Sequence, residues 1–238
     1  MSADLVVHGA EWTVKELFVY PNEFIYWSIQ IVMYPYMTGL VAGAFVLSSL
    51  YHVFGQKDLK EIAQFSLVFS LALLPVAAVP LLLHLQQPLR AMEPLLTPHF
   101  TSAIAAFGIV FSTYALIVVS EIWFVYRGYF VAQVHALRDQ PGISNATRRL
   151  VYRALTMGAY EVSEEALATD HKAAKILAAI GIPVACFLHG YAGFIFGSVK
   201  ANALWMSPLM PVIFIMSAVV SGIALCMLTY IVIMEWQA

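Results

Sequence analysis

Five windows of largely apolar residues dominate this chain, at about 24–50, 62–84, 101–125, 176–198 and 208–232. A helix rises about 1.5 Å per residue, so a run of roughly 20 apolar residues crosses the hydrocarbon core of a bilayer. In lipid every backbone N–H and C=O must find its partner inside the protein, which leaves only helices and closed barrels. The windows are long and do not alternate with period two, so they predict helices. The expected fold is all-α, a polytopic integral membrane bundle of about five spans. Composition agrees, since 61% of the 238 residues are hydrophobic and only 11% are charged. That leaves too little polar surface to coat a water-soluble globule.

Residues 1–23 carry Trp12, Phe18 and Tyr20 among acids and a single lysine, which suits an N-terminal segment lying in the membrane interface. No basic n-region precedes a cleavable apolar core, so no signal peptide is expected and the first span directs insertion. Residues 24–238 form the bundle, interrupted by a long connection at about 126–175. That connection holds the turn signal Gln140-Pro141-Gly142, then Arg148, Arg149 and Arg153, then Glu161, Glu164 and Glu165. It predicts a helical excursion on one membrane face.

Cytoplasmic loops retain the Lys/Arg excess, so cations set the orientation. Lys57, Lys60, Arg127, Arg138, Arg148, Arg149, Arg153, Lys172 and Lys175 follow the first and third spans, whereas the other side has only Lys15, Arg90 and Lys200. The N-terminus is therefore expected outside and the C-terminus of this chain inside, in a bacterial or archaeal cytoplasmic membrane.

The net charge of −2 lacks the basic footprint of a nucleic-acid binder. Cys186 and Cys226 both lie inside apolar runs, so they supply neither a disulfide framework nor the thiolates of an iron–sulfur cluster. No metal centre is expected in this chain. Gly39 and Gly43, like Gly193 and Gly197, stand at helical spacing that lets backbones approach closely in lipid. Pro35, Pro75, Pro80 and Pro183 interrupt helices and free backbone carbonyls.

Ionisable groups at membrane depth are costly, and each is a functional candidate weighed against a satisfied structural role. Glu121, in Ser120-Glu121-Ile122-Trp123, falls near the inner end of the third span, about 9 Å of helix before Arg127. It is a candidate for a proton path, against an interfacial salt bridge or a snorkelling acid. His189 lies in Phe187-Leu188-His189-Gly190-Tyr191, where an imidazole near a phenol suits a quinone carbonyl or a proton. His84 ends the second span and, with Arg90, makes a polar cluster at the outer interface. Two intramembrane histidines also raise a b-type haem, although His84 at a helix end and His189 several residues inside match poorly in depth. Tyr26, Trp27 and Gln30 enter the first span as an aromatic belt would. Together with the outer ends of the second and fourth spans they could line an apolar pocket with a few polar anchors.

Several segments resemble the NrfD family, the membrane subunits of polysulfide-reductase-type complexes. They are Tyr34-Pro35-Tyr36-Met37-Thr38-Gly39-Leu40-Val41-Ala42-Gly43-Ala44, Leu83-His84-Leu85-Gln86-Gln87-Pro88-Leu89-Arg90 and Thr97-Pro98-His99. Gly190-Tyr191-Ala192-Gly193-Phe194, Lys200-Ala201, Trp205 and Pro208-Leu209-Met210-Pro211 with Ser217 and Gly222 extend the likeness. The wording of the first segment and of Glu121-Ile122-Trp123 is most similar to the branch in sulfur-metabolising transmembrane redox complexes. The resemblance implies a subunit of a multi-subunit respiratory oxidoreductase that binds menaquinone or ubiquinone near the outer face. It also implies electron exchange there with an iron–sulfur, ferredoxin-like partner. The family's quinone-contacting tyrosine would be Tyr191, with the polar residues of the first span near Tyr26 and Gln30. The family has eight or more spanning helices, against five found here.

The expected site lies between the outer ends of spans one, two and four. Tyr191 and His189 bind the head group there, Tyr26, Gln30, His84 and Arg90 shape the pocket, and Lys200 and Trp205 face the docked partner. Alternatives from other classes are a passive membrane anchor for a redox complex, a haem b-carrying cytochrome subunit and a small transporter.

Overall fold

The computed structural model describes residues 29–85, 88–98, 103–138, 140–198 and 205–237. The expected interfacial segment 1–23, Tyr26 and Lys200 lie outside the described residues. The helices are α1 (Ile29–His52), α2 (Lys60–His84), the short α3 (Glu93–Leu96), α4 (Ala103–Ala136), α5 (Ile143–Leu155), α6 (Glu164–Gly197) and α7 (Met210–Gln237). Five of them, α1, α2, α4, α6 and α7, are long and apolar enough to cross a membrane. No strand occurs among the described residues. The chain is an all-helical, multi-pass membrane bundle, as its apolar windows predict.

α1 is the central helix. In its most apolar stretch 72% of residues are buried, against 17% for α7, whose surface faces outward. α1 packs on α2, α6 and α7, while α4 packs on α6 and carries α5. Lipid tails are as apolar as leucine, so these contacts depend on close steric fit rather than on removal of water. The fit is closest where α1 meets α7: a Cβ added to Gly222 would lie 2.6 Å from Gly43 Cα and 2.7 Å from Leu40 O. Only glycine on both helices permits that approach.

Successive faces of α1 serve different neighbours, because residues two apart on a helix point about 200° apart. Gly39 and Gly43 turn towards α7, whereas the Val41 carbonyl accepts from the Ser70 hydroxyl of α2 at 3.3 Å and from Tyr114 of α4 at 3.4 Å. Phe45, fully buried, meets Tyr114 edge to face with ring centroids 5.5 Å apart. The missing side chain of Gly181 on α6 leaves room for the Phe45 ring, and Ile117 of α4 meets the same spot. Phe45, Ile117 and Gly181 therefore share one depth, which fixes the register of α1, α4 and α6.

α4 and α6 both outrun their apolar windows, reaching Ala136 and starting at Glu164. Their polar extensions satisfy each other. Arg127 Nε and Nη2 bind Asp170 Oδ2 at 2.7 and 2.6 Å, and Arg127 Nη1 donates to the carbonyls of Glu161 (2.5 Å) and Ala159 (3.3 Å). Trp123 Nε1 donates to Leu155 O at 2.9 Å and holds the end of α5. Gly142, with φ of 119°, makes the turn into α5 that only glycine adopts readily. Ser163 caps α6 by accepting from the Ala166 N–H at 3.3 Å, and Glu164 and Glu165 follow in the first turn, where the helix dipole favours acids. The expected excursion is thus two helix extensions with α5 laid across them.

Candidate functional site

A cavity of about 280 Å³ lies between α1, α6 and α7. α1 supplies Val32, Pro35, Tyr36 and Gly39, α6 supplies His189 and Phe196, and α7 supplies Ile213, Phe214, Ser217 and Ser221 among others. Trp205, just before α7, closes one end with its ring 5.5 Å from that of Phe196. Gly39 gives the imidazole its place in the wall: a Cβ there would stand 3.2 Å from His189 Nε2 and 3.3 Å from Cε1. Val32, Tyr36 and Ile213 line the cavity yet are also exposed on the outside of the bundle, so it opens sideways between α1 and α7. In a bilayer that side faces lipid.

His189 is the one imidazole of this cavity and is 2% exposed. The Thr38 backbone lies beside the ring, but neither ring nitrogen completes a hydrogen bond among the described residues. Burying a polar group without a partner costs on the order of 1–3 kcal/mol, so an apolar wall carrying one unsatisfied imidazole is suited to a ligand with a hydrogen-bonding oxygen.

The other sequence-selected residues are distributed differently. Tyr191 does not line the cavity; it stands two residues from His189, and its ring lies between Phe187 and Phe194 at 5.8 Å from each. Residues at i and i+2 of a helix point about 200° apart, so the two side chains leave α6 on different faces. Gln30 is half-buried in the first turn of α1, and His84 is half-buried as the last residue of α2. Arg90 pairs with Glu93 at 2.6 Å, both half-exposed, and this bond holds the Glu93 carboxyl below its ordinary range. The cavity therefore gathers His189 and Trp205 and is built by spans one, four and five, rather than one, two and four. Span two is on the other side of α1, where Val41 and Ser70 meet. Ser217 and Ser221, one turn apart on α7, were not singled out as site residues in the sequence; their spacing opposite Gly39 was the available signal.

Glu121 is completely buried and neither carboxylate oxygen has a hydrogen-bond partner among the described residues. It is neither salt-bridged there nor snorkelling. The buried ion pair of this region belongs to Arg127 and Asp170 instead.

The family model described as polysulphide reductase, NrfD, matches residues 20–237. The chain belongs to the NrfD family. Over 204 residues this NrfD chain is 33% identical to a selenate reductase subunit of Mesobacillus selenatarsenatis, covering 86% of the chain and 47% of that protein. Over 209 residues it is 27% identical to a putative dimethyl sulfoxide reductase membrane subunit of Halobacterium salinarum, covering 86% and 43%. The chain thus spans about half the length of the curated relatives it matches. In this NrfD chain the segments that carry the family likeness fall on α1, on the end of α2 and the connection after it, on the end of α6 and on the start of α7; of these elements α1, α6 and α7 build the cavity.

Proposed function

We propose that this chain is a quinone-binding membrane subunit of a multi-subunit respiratory oxidoreductase. It exchanges electrons between the menaquinone or ubiquinone pool and an iron–sulfur, ferredoxin-like partner at the outer face of a bacterial or archaeal inner membrane. The observation that carries this reading is the laterally open cavity with His189 in its wall. Its volume, about 280 Å³, is close to the lower end of small-molecule sites, roughly 300–1,000 Å³. The donor chemistry fits a quinone: apolar walls for the ring, one unpartnered imidazole for a carbonyl, and a side opening to lipid for an isoprenoid tail.

A bound quinone supplies a couple of two electrons and two protons. His189 would hydrogen-bond one carbonyl oxygen and hold or release a proton at that oxygen. Gly39 sets the position of the imidazole, and Pro35, Phe196 and Phe214 keep water from the ring. Trp205 closes one end of the cavity and follows Lys200 closely in the sequence, so the docked partner would meet the chain at that end. Cys186 and Cys226 stand on different helices and do not make a cluster site, in keeping with an iron–sulfur centre on the docked partner. The names of the relatives, as parts of selenate and dimethyl sulfoxide reductases, support a redox complex and an oxyanion or sulfur-compound respiration.

The test is to purify the complex containing this chain, extract its lipids and quantify quinone alongside the optical spectrum. One bound quinone that is lost in His189→Ala supports the reading. An unchanged quinone content in that variant, or a b-type haem spectrum that vanishes with it, overturns it.

A further inference from the structure

A second set of unsatisfied polar groups runs from the middle of the bundle towards the end opposite Trp205. Among the described residues Glu121 on α4 is fully buried with both carboxylate oxygens unpartnered, the Ser48 hydroxyl on α1 is fully buried and unpartnered, and His52 is 4% exposed with neither ring nitrogen bonded. An unpaired carboxylate is costly in such surroundings, so a carboxyl there needs a proton. That proton must come from one surface or the other.

The shared depth of Phe45, Ile117 and Gly181 locates the route. One helical turn beyond them, about 6 Å, stand Ser48 and Ser49 on α1 and Glu121 on α4; the Ser49 hydroxyl donates to the Phe45 carbonyl at 3.0 Å and keeps its oxygen as an acceptor, while that of Ser48 is uncommitted among the described residues. A further turn along α1 comes His52, whose ring is 6.3 Å from that of His171 on α6 and 4.9 Å from that of Tyr51. His171 is exposed, and its neighbour Asp170 is tied to Arg127. In the other direction stands Tyr114. The Tyr114 hydroxyl is committed to the Val41 carbonyl and its ring packs on Phe45. His189 stands two turns beyond Gly181, so about 18 Å of helix separates its level from that of Glu121. Among the described residues α2 turns the hydroxyls of Ser66 and Ser70 inward, and α7 the thiol of Cys226, none of them charged.

We propose that His171, His52, Ser48, Ser49 and Glu121 form a proton-access path from the His52 end of the bundle to a protonatable carboxyl in its centre. Water is the co-reactant. A hydronium at the surface gives its proton to His171. His52 then takes a proton at one ring nitrogen and releases another from its second nitrogen to water held by the serine hydroxyls. The Glu121 carboxylate accepts it as a carboxylic acid. No electrons move, and the path stands independently of the quinone cavity.

The test is infrared spectroscopy of the purified full chain in nanodiscs at neutral pH, following the protonated-carboxyl C=O band as solvent is changed to D2O. The expected result is a band absent from Glu121→Gln and present in His52→Phe, but shifting in His52→Phe more slowly by roughly a hundredfold, the low end of what a placed proton-transfer group contributes. Ser48→Ala, a smaller change, is expected to slow the shift in the same direction and serves if His52→Phe does not fold. An identical band in Glu121→Gln, unchanged exchange in both path variants, or a band that disappears on adding sodium would overturn the proposal. Quinone content measured on the same samples is expected to stay at the wild-type level in all three variants, which keeps this outcome separate from that of the His189 site.

Discussion

Arg127 and Asp170 hold α4 to α6 through a pair whose side chains are only 5% and 11% exposed. Replacing Arg127 with methionine keeps the aliphatic stem but leaves the Asp170 carboxylate buried and unpaired, and frees the Glu161 and Ala159 carbonyls that Arg127 also binds. Breaking one side of a buried ion pair costs about 3–5 kcal/mol. Asp170→Leu strands the guanidinium in the same way and is expected to cost a similar amount. The double variant strands neither charge, so it is expected to recover most of the loss, with the two freed carbonyls leaving a residue of about 1–3 kcal/mol. The assay is a double-mutant cycle on unfolding in mixed micelles, titrated with denaturing detergent and read by circular dichroism. Single-variant costs below about 0.5 kcal/mol, or a double-variant cost equal to the sum of the two, would refute the buried-pair reasoning.

Gly222→Val places a branched side chain where Gly43 Cα and Leu40 O leave no room, so α1 and α7 must separate; a loss of at least about 1–3 kcal/mol is expected in the same detergent titration. Ser163→Ala removes the cap of α6 and is expected to cost about 1 kcal/mol there, whereas Ser163→Asp retains the stability. Arg90 lowers the Glu93 carboxyl, chiefly through their hydrogen bond, so the pair's contribution is present above the unfolded carboxylate value and fades as pH falls through the depressed folded one. Arg90→Ala is therefore expected to raise the Glu93 titration seen by carbon NMR, with no measurable change in stability because both groups are half in solvent.

The bundle was legible because its signal is local: each span is a run of apolar residues long enough to cross a membrane, and five such runs became five helices. Helix ends were less so. Hydropathy stops α4 near 125, yet the helix continues to Ala136, because Arg127 finds its partner 43 residues away in Asp170. The sequence offers Arg127 only as one cation among nine. The cavity was half legible. His189 and Trp205 line it, but Tyr191 sits on another face of the same helix, as an i, i+2 relation requires. The involvement of α7 rather than α2 depends on which face of α1 carries Gly39 and Gly43, and pattern alone does not say which neighbour those glycines meet. His52 drew no notice because a histidine at a span end is ordinary in an interface. Its significance lies in Ser48 one turn above it, unpartnered among the described residues.

The direct test of the proposal that the cavity takes a quinone is photo-crosslinking of the intact complex with an azido-quinone, followed by peptide mapping. Saturable labelling within 32–39 and 205–221, competed by unlabelled quinone and lost in Gly39→Val, is the predicted result, since the valine fills the space beside His189. Labelling confined to α2 or to the Phe187, Tyr191 and Phe194 face of α6, with Gly39→Val unaffected, would contradict it.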